Sequence, residues 1–399
     1  MPKEPPSDSS APTSFSLFEG GPVYRLEEKL GLVRDGRKRS GHLVLFGVLI
    51  AWVPMLLLAA AQGLAIGSSR MESFLMDFAV NVRFFVVLPV FLFGEKICAA
   101  QLRTVVQQFI DAGLVKDESR RLFDATVRDI VRLSRSGRTD AVLVSLAYLH
   151  SAVALVMFLF ELQDSTWRVP MRDGHAVLSL AGVWFFLVAA PLYSFLLWRW
   201  LLRIALWWRL LWKVSGLDLR LSPSHRDGAG GMAFLSSSVE AFGPFVFGCA
   251  AQAAAAIADV VVYEGASPLH YQWHVVGFVV LLLTVIAGPL LLFTRSLYEA
   301  KEDAAFRYDA LASRQIQRTE DKWLPGGAVP EDSESSMPDF RSITHLGHSV
   351  TAVHKMSLIP LSKEDILKLV IIALLPFIPV LATQVPIGEI FSVFMKVLA

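Results

Sequence analysis

Long apolar runs dominate the pattern of hydrophobic and polar positions along this chain of 399 residues. A nearly uncharged apolar segment of about 18 residues or more is long enough to cross a bilayer as a helix. The second such segment is the least clean, because Arg83 lies inside it and Asp77 and Glu95 lie near its ends. The segments are 43–67, 75–97, 141–162, 176–198, 240–262, 274–295 and 367–388. The pattern predicts an all-α polytopic membrane helix bundle of about seven spans.

The distribution of basic residues predicts how these spans are oriented, because cytoplasmic connections carry an excess of Lys and Arg. The four connections on one side of the predicted bundle hold 31 of the 37 Lys and Arg residues. They are segments 1–41, 96–139, 199–235 and 295–365. We therefore expect the N-terminus on the cytoplasmic side and the C-terminus on the outer side.

The connections themselves are predicted to be helical rather than to form sheets. Apolar residues at helical spacing predict cytoplasmic helical segments within 98–139 and 296–365. The polar, Pro/Ser-rich residues 1–18 predict a disordered tail. Residues 19–399 are expected to form a single integral membrane domain. The sequence shows no strand pattern and no clear internal repeat.

Three further features of the apolar pattern concern the C-terminal segment, the last span and the fifth span. Residues 386–399 predict an amphipathic helix that packs on lipid or on a partner subunit. Pro376 and Pro379 predict a kink in the last span, since each removes a backbone donor. Ala250 and Ala254 belong to a small-residue stripe that predicts close helix packing and a central position for the fifth span.

Composition agrees with the membrane prediction and excludes several other classes of protein. Hydrophobic residues make up 54% of the chain and charged residues only 18%, below the ~25% of soluble proteins. The net charge of +1 gives no reason to expect nucleic-acid binding. Neither the two cysteines nor His345, His348 and His354 match a metal-binding spacing. We expect no metal ion and no cofactor.

A basic, Trp-rich stretch, W-R-W-L-L-R-I-A-L-W-W-R-L-L-W-K, follows the fourth span. Its bases fall on one helical arc, a pattern that is typical of contact with anionic lipid headgroups at the membrane interface. The alternative is a long helix that projects into a cytoplasmic helical region. The predicted lipid contacts are Arg199, Arg203, Trp207, Trp208, Arg209, Trp212 and Lys213.

Charged residues inside membrane helices are candidate functional residues, because each is costly to bury unless it is paired. Helical rise places Arg83 and Asp259 near the same outer leaflet, so the sequence predicts that they meet. They would form either a fixed ion pair or the lining of an ion or solute pathway. Asp77 and Asn81 could help to satisfy Arg83. Glu95 and Glu240 mark inner span ends, within reach of cytoplasmic Arg or Lys.

A glycine-rich stretch between the fourth and fifth spans, S-H-R-D-G-A-G-G-M-A-F at 224–234, is the most motif-like part of the chain. It lacks the flanking residues of a kinase catalytic loop, a dinucleotide fingerprint or a Walker A loop. Two interpretations stay open: a tight turn that uses glycine conformations, and an anion site built from free backbone N–H groups. The candidate residues are His225, Asp227, Gly228, Gly230 and Gly231.

The same stretch, L-S-P-S-H-R-D-G-A-G-G-M-A-F-L, resembles the P-x-H-P-D-x-A-G-G-L-x-F-L pattern of a group of uncharacterised bacterial multi-pass membrane proteins. The segments F-E-G-G-P-V-Y-R-L-E-E-K-L-G-L and L-L-P-F-I-P-V-L-A-T-Q-V-P-I-G-E-I look similar as well. Arg226 and Met232 depart from that pattern, where proline and leucine are expected. The resemblance implies a bacterial inner-membrane protein and assigns no catalytic residue.

Three functional hypotheses follow from the sequence. The first is passage of an ion or small solute, with Arg83 and Asp259 along the path. The second is a membrane scaffold or signalling partner, whose cytoplasmic helices bind another protein or a second copy of the chain. The third is an intramembrane enzyme that uses His225 and Asp227 at the cytoplasmic face.

Overall fold

The computed structural model describes residues 15–17, 20, 33–34, 37–38, 40–67, 69, 71–161, 165–172, 175–323 and 337–383. This part of the chain is an all-α bundle, as the hydropathy pattern predicted. Its helices are α1 Ser40–Ala61, α2 Phe78–Asp111, α3 Asp117–Ser134, α4 Gly137–Glu161, α5 Leu180–Ser215, α6 Ser237–Ala241, α7 Gly243–Glu264, α8 Gln272–Ala287, α9 Thr294–Trp323, α10 Met337–Lys355, α11 Lys363–Leu374 and α12 Ile378–Leu381. We call its two ends the inner and the outer end, after the Lys/Arg asymmetry.

Two very short antiparallel hairpins were missed by the sequence prediction. Strand β1, Val33–Arg34, pairs with β2, Arg37–Lys38. Strand β3, Met171–Arg172, pairs with β4, His175–Ala176. In each hairpin the two strands are separated in the sequence by Asp-Gly, the dipeptide that favours tight hairpin turns, so a sequence signal existed. Each strand has two residues, too few for an alternating apolar pattern.

Six helical segments of the described chain are long and apolar enough to cross a membrane. They correspond to the first six predicted spans. The seventh predicted span is described only to residue 383, and that part is broken into α11, a 3₁₀ turn at Leu375–Phe377, and α12. The break falls at Pro376 and Pro379, where the sequence predicted a kink. The C-terminal amphipathic helix predicted for 386–399 lies outside the described residues.

Helices that run from the outer to the inner end are much longer than a membrane requires. Phe78–Asp111 has 34 residues and Leu180–Ser215 has 36. At 1.5 Å per residue these helices are about 50 Å long, whereas the hydrocarbon core is about 30 Å thick. They therefore continue beyond the inner end, where α3, α9 and α10 supply the helices predicted for 98–139 and 296–365.

The basic stretch after the fourth span is part of this long α5, which continues as one helix to Ser215, the course expected of a projecting helix. A correction concerns residues 15–17 of the N-terminal tail, which was predicted to be disordered. Phe15 and Leu17 are buried, and their carbonyl oxygens accept hydrogen bonds from Arg103 Nε and Ser134 Oγ.

A local pattern recurs in three helical segments, Phe78–Asp111, Leu180–Ser215 and Pro268–Arg318, although the sequence showed no clear repeat. Each contains Pro-x-x-x-Phe beside a distorted turn, and the prolines are 102 and 98 residues apart. Turns Arg83–Val87 and Phe185–Ala189 are π-helical and precede Pro89 and Pro191. The 3₁₀ segment Gly288–Phe293 contains Pro289. A proline disrupts the backbone hydrogen bonds of the preceding turn, which explains why the distortions lie beside the prolines.

Helix α7 packs centrally against α2, α11 and α12, as its small residues predicted. A Cβ added to Gly94 of α2 would lie 2.4 Å from Pro244 Cβ, so the two helices are in close contact. A Cβ added to Gly248 of α7 would likewise lie 2.4 Å from Phe91 Cε1. Ala250 and Ala254 are buried with residues of the broken last span. This close α2–α7 contact positions the charged side chains described next.

Candidate functional site

The outer end of α2 is held by a carboxylate that makes an ion pair. Asp77 is the N-cap of α2, and its Oδ1 accepts a hydrogen bond from the backbone N–H of Val80 at 2.8 Å. Its Oδ2 accepts from Trp167 Nε1 at 2.9 Å and from Arg168 Nη2 at 2.6 Å. Asp77 is therefore hydrogen-bonded by the loop before β3, and it acts on Arg83 by electrostatic attraction without a hydrogen bond between the two described side chains.

Asp259, on α7, caps the same helix from outside. Its Oδ1 and Oδ2 accept hydrogen bonds from the backbone N–H groups of Phe78 and Ala79, each at 3.0 Å. A carboxylate is favourable at a helix N-terminus, where unpaired N–H groups and the helix dipole concentrate positive charge. The sequence correctly placed Asp259 near the outer end of α2 but assigned it to Arg83.

The ion pair predicted between Arg83 and Asp259 does not form. Arg83 Nε instead donates to Gln252 Oε1 at 3.3 Å, on the face of α7 that meets α2. The guanidinium lies 4.8 Å from the ring centroid of Tyr193 and 5.7 Å from that of Phe185. Cation–π contacts of this kind stabilise a buried guanidinium. Arg83 thus points into the interface of α2, α5 and α7.

Asn81 connects α2 to the first helix rather than to Arg83. Its Oδ1 accepts from Trp52 Nε1 at 2.9 Å, and its Nδ2 donates to the carbonyl oxygens of Leu75 and Asp77. These bonds use the Asn81 side chain to hold the turn that precedes α2.

Glu95, near the inner end of the membrane part of α2, is almost fully buried. Its Oε1 lies 2.8 Å from Arg203 Nη1 and 3.7 Å from Arg199 Nε, both on α5. The side chain of Arg203 is 2% exposed and that of Arg199 is 11% exposed. The prediction that basic residues reach Glu95 is confirmed by these distances, and the prediction that these two arginines contact lipid is wrong.

The remaining residues of the basic stretch divide between the interior and the surface. Trp207 is buried, and the half-buried Trp208 donates from Nε1 to the carbonyl oxygen of Val285. These two tryptophans are packing residues, since α5 is covered by other helices on that side. The residues that stay exposed are Arg209, Trp212 and Lys213. Of the predicted lipid contacts, only these three lie on an open face.

Aromatic side chains fill the space between the outer and inner charges. Phe91 lies 6.4 Å from Tyr193, 5.9 Å from Trp200 and 5.9 Å from Phe245, measured between ring centroids. Trp200 and Phe245 are also 5.9 Å apart. We call these four side chains the aromatic layer. Because α2, α5 and α7 all contribute to it, the layer closes the same interface that holds Arg83 and Glu95.

Glu240 lies on the short helix α6 and forms an ion pair with a lysine of α11. Its Oε1 lies 2.5 Å from Lys368 Nζ, and Lys368 is also 3.4 Å from Asp365 Oδ1. The predicted reach of a basic residue to Glu240 is therefore confirmed. These three charges, of which only Lys368 is exposed, tie α6 to α11 at the inner end of the bundle.

The glycine-rich stretch forms a turn around the carboxylate of Asp227. Asp227 Oδ1 accepts from the backbone N–H groups of Ala229 and Gly231 at 2.9 and 3.0 Å, and Oδ2 accepts from Ala233 at 3.0 Å. Burial disfavours the ionised form of Asp227, but these three bonds and His225 outweigh it and lower the pKa below 3.8. The backbone donors that an external anion would need are occupied by the chain's own carboxylate.

The glycines of this turn have the conformations that only glycine adopts easily. Gly228, Gly230 and Gly231 have φ values of +64°, +65° and +93°. The Gly228 carbonyl accepts from the backbone N–H of Ser357, and the Gly230 carbonyl accepts from Ser222. The tight-turn interpretation is therefore supported, and the turn docks on the segment after α10.

The histidine of the turn is placed at its rim. His225 Nδ1 lies 2.9 Å from Asp227 Oδ1, and the His225 side chain is 53% exposed. The pair is in contact, but the carboxylate that would orient the histidine also accepts three backbone N–H groups. This geometry gives no support to the enzyme hypothesis. Among the described residues, no group of three or more His, Cys, Asp or Glu side chains could hold a metal ion.

Four residues that contact Asp77 or Arg83 were not predicted from the sequence. Trp167 and Arg168 lie in a connection that has no helical pattern, and Tyr193 and Gln252 are uncharged residues inside apolar spans. The only available signals were an isolated arginine in an outer loop and a glutamine in a small-residue helix.

No family model, curated protein or solved structure matches the chain. The described fold, with six helical segments able to cross a bilayer, defines a helical membrane protein. Its functional assignment therefore depends on the side chains of the bundle interior.

Proposed function

We propose that this is a multi-pass protein of the bacterial inner membrane that passes an ion or small solute along the interface of α2, α5 and α7. The resemblance of the glycine-rich stretch to bacterial multi-pass proteins supports the location. The observation that supports the activity is the column of buried polar and charged side chains on this one interface. Arg83, Tyr193 and Gln252 form its outer part, and Glu95 and Arg203 form its inner part.

Charge in a membrane interior is costly, so it persists where it serves folding or passage. A purely structural pair needs one carboxylate and one base in contact, as Asp77 and Arg168 are. Arg83 departs from this rule, because it contacts an amide and two aromatic rings. Its position above the aromatic layer, with Glu95 and Arg203 below, is the arrangement expected of a path that is closed at its middle.

The aromatic layer is the proposed gate. Phe91 is completely buried, and its ring is the one that contacts the other three members of the layer. Removing this ring would open a cavity between the outer and inner charges, because buried side chains are only partly replaced by relaxation of their neighbours. Phe91→Ala should therefore increase passage, whereas Arg83→Gln should reduce it.

Flux into proteoliposomes tests this proposal. The purified full-length chain is reconstituted, and uptake of K⁺, Na⁺, H⁺, chloride and nitrate is compared with empty vesicles. Arg295→Gln is the matched control, since Arg295 is an exposed arginine paired with Glu299 far from the column. Folded protein that passes none of these ions, with Phe91→Ala equally inactive, would contradict the proposed function.

A second candidate function is that of a scaffold, favoured by apolar side chains on the inner helices. On α9, Phe306 is 72% exposed and Leu311 is 53% exposed. Large exposed apolar side chains of this kind occur at protein–protein contacts. A photo-crosslinker placed at Phe306 in living cells should capture one reproducible protein partner. Capture of lipids and chaperones alone would count against the scaffold.

A further inference from the structure

The acidic groups near Arg83 are fully engaged by other donors. Both oxygens of Asp77 accept hydrogen bonds, from Val80 on one side and from Trp167 and Arg168 on the other. Both oxygens of Asp259 accept backbone N–H groups at the start of α2. Arg83 is therefore a cation of the bundle interior that contacts no carboxylate, and its described contacts are neutral.

The donors around Arg83 are only partly used. Of its guanidinium nitrogens, Nε alone makes a hydrogen bond within the described chain. The Tyr193 hydroxyl makes none with the described residues. Neither the Arg83 Nη atoms nor the Tyr193 hydroxyl is among the buried polar atoms sealed from solvent, so each retains accessible surface. The Arg83 Nη atoms and the Tyr193 hydroxyl are thus donors that the described chain leaves unused.

We propose that the guanidinium of Arg83 and the hydroxyl of Tyr193 form a binding site for a small monovalent anion. Asp77 attracts Arg83 without a direct contact, so the unused Nη and hydroxyl groups are hydrogen-bond donors beside a positive charge that no acceptor touches. An anion that accepts from these donors would satisfy them, because buried charges are stable when paired and hydrogen-bonded. Two parallel N–H groups of a guanidinium match planar oxyanions such as nitrate, and a single halide can also bridge them. This inference deepens the proposed function, on which it rests, by naming the class of solute that passes.

The site explains why the arginine lies under the outer helix ends and above the aromatic layer. An anion that arrives from the outer side would exchange its hydration shell for Arg83 and for the hydroxyl of Tyr193, while Phe91, Trp200 and Phe245 stay packed together. The positive charge of Arg203 and Arg199, which share one carboxylate oxygen of Glu95, lies farther along the same interface.

Anion-dependent thermal stability of the purified full-length protein in nanodiscs tests the site. Sodium chloride or sodium nitrate is titrated against sodium gluconate at constant ionic strength, with unfolding followed by tryptophan fluorescence. A ligand at concentration c that binds only the folded state stabilises it by RT ln(1 + c/Kd), so the melting temperature rises once the anion concentration exceeds the dissociation constant. We expect chloride and nitrate to raise the melting temperature of the wild type and of Arg295→Gln.

Arg83→Gln should abolish this rise, and Tyr193→Phe should weaken the apparent anion affinity by about tenfold, the effect of one charge-assisted hydrogen bond. An unchanged chloride and nitrate response in both variants would overturn the site. If Arg83→Gln does not fold, bromide soaked into crystals of the wild type decides: density beside Arg83 Nη supports the site, and density elsewhere overturns it.

The two proposals fail separately. Anion binding without flux of any ion would leave the site in place and contradict the passage. Flux of cations that is indifferent to anions, together with no anion-dependent stability, would contradict the anion site and leave the passage in place.

Discussion

Replacing Glu95 by glutamine should be among the most destabilising single changes in the chain. Glu95→Gln keeps the shape of the side chain and removes the charge that Arg203 and Arg199 contact at 2.8 and 3.7 Å. With an effective dielectric constant of about 20, unit charges at 2.8 Å attract by about 6 kcal/mol. Desolvation offsets part of this attraction in the wild type. The variant keeps the desolvated arginine without its counter-charge, so we expect a net loss of about 3–5 kcal/mol.

The assay is reversible unfolding of the purified protein in mixed micelles with increasing SDS, followed by tryptophan fluorescence. Glu299→Gln is the matched control, because it breaks an Arg–Glu pair of similar geometry whose side chains are 88% and 61% exposed. This control should leave the free energy of unfolding unchanged within error. The double variant Glu95→Leu/Arg203→Met should recover much of the loss. Equal unfolding free energies for Glu95→Gln and Glu299→Gln would refute the reasoning.

Three further changes address packing, capping and pH. Gly248→Ala should cost about 1–3 kcal/mol of folding free energy or prevent folding, because its Cβ would lie 2.4 Å from a Phe91 carbon. Gly277→Ala is the control and should accumulate normally, because its Cβ would have no atom within 4 Å. Thermal melts compare the two variants. Asp259→Ala removes two hydrogen bonds that cap α2 and should cost about 1–2 kcal/mol of folding free energy. Amide hydrogen exchange should become faster only at the start of α2. A uniform increase in exchange along the chain would contradict the capping role of Asp259. The pKa of Asp227 is below 3.8, so its three backbone bonds stabilise the turn at neutral pH and are lost as the pH falls through that lowered value. Amide exchange of Ala229 and Gly231, measured as a function of pH, should show this loss. Asp227→Asn should lack the transition.

The membrane architecture could be predicted because hydropathy is a property of consecutive residues. The apolar runs located all six spans of the described chain, and Pro376 and Pro379 marked the break in the segment that follows. The small residues of α7 likewise indicated close packing before any partner was known. None of these predictions required knowledge of which helix faces which.

The side-chain partners could not be predicted, because they depend on how helices are rotated and on how loops fold. Arg83 and Asp259 were predicted to meet only because they lie at a similar depth in the membrane. The Asp259 carboxylate instead accepts hydrogen bonds from the backbone N–H groups at the start of α2. The arc of bases on α5 correctly placed Arg199 and Arg203 on the same side of the helix, but the sequence did not show that Glu95 on α2 would contact these two. Asp227 was recognised as part of a motif, whereas its bonds to the turn backbone depend on three-dimensional loop closure.

The π-helical turn at Arg83–Val87 changes the angular phase of α2. Arg83 and Glu95 are twelve residues apart, which in an uninterrupted α-helix would separate them by about 120° around the axis. A π turn accommodates one extra residue, and that reduces the separation to about 20°. The widened turn therefore aligns the outer arginine and the inner glutamate on a single stripe, and conversion of this turn to regular α-helix would rotate Arg83 away from the stripe that carries Glu95.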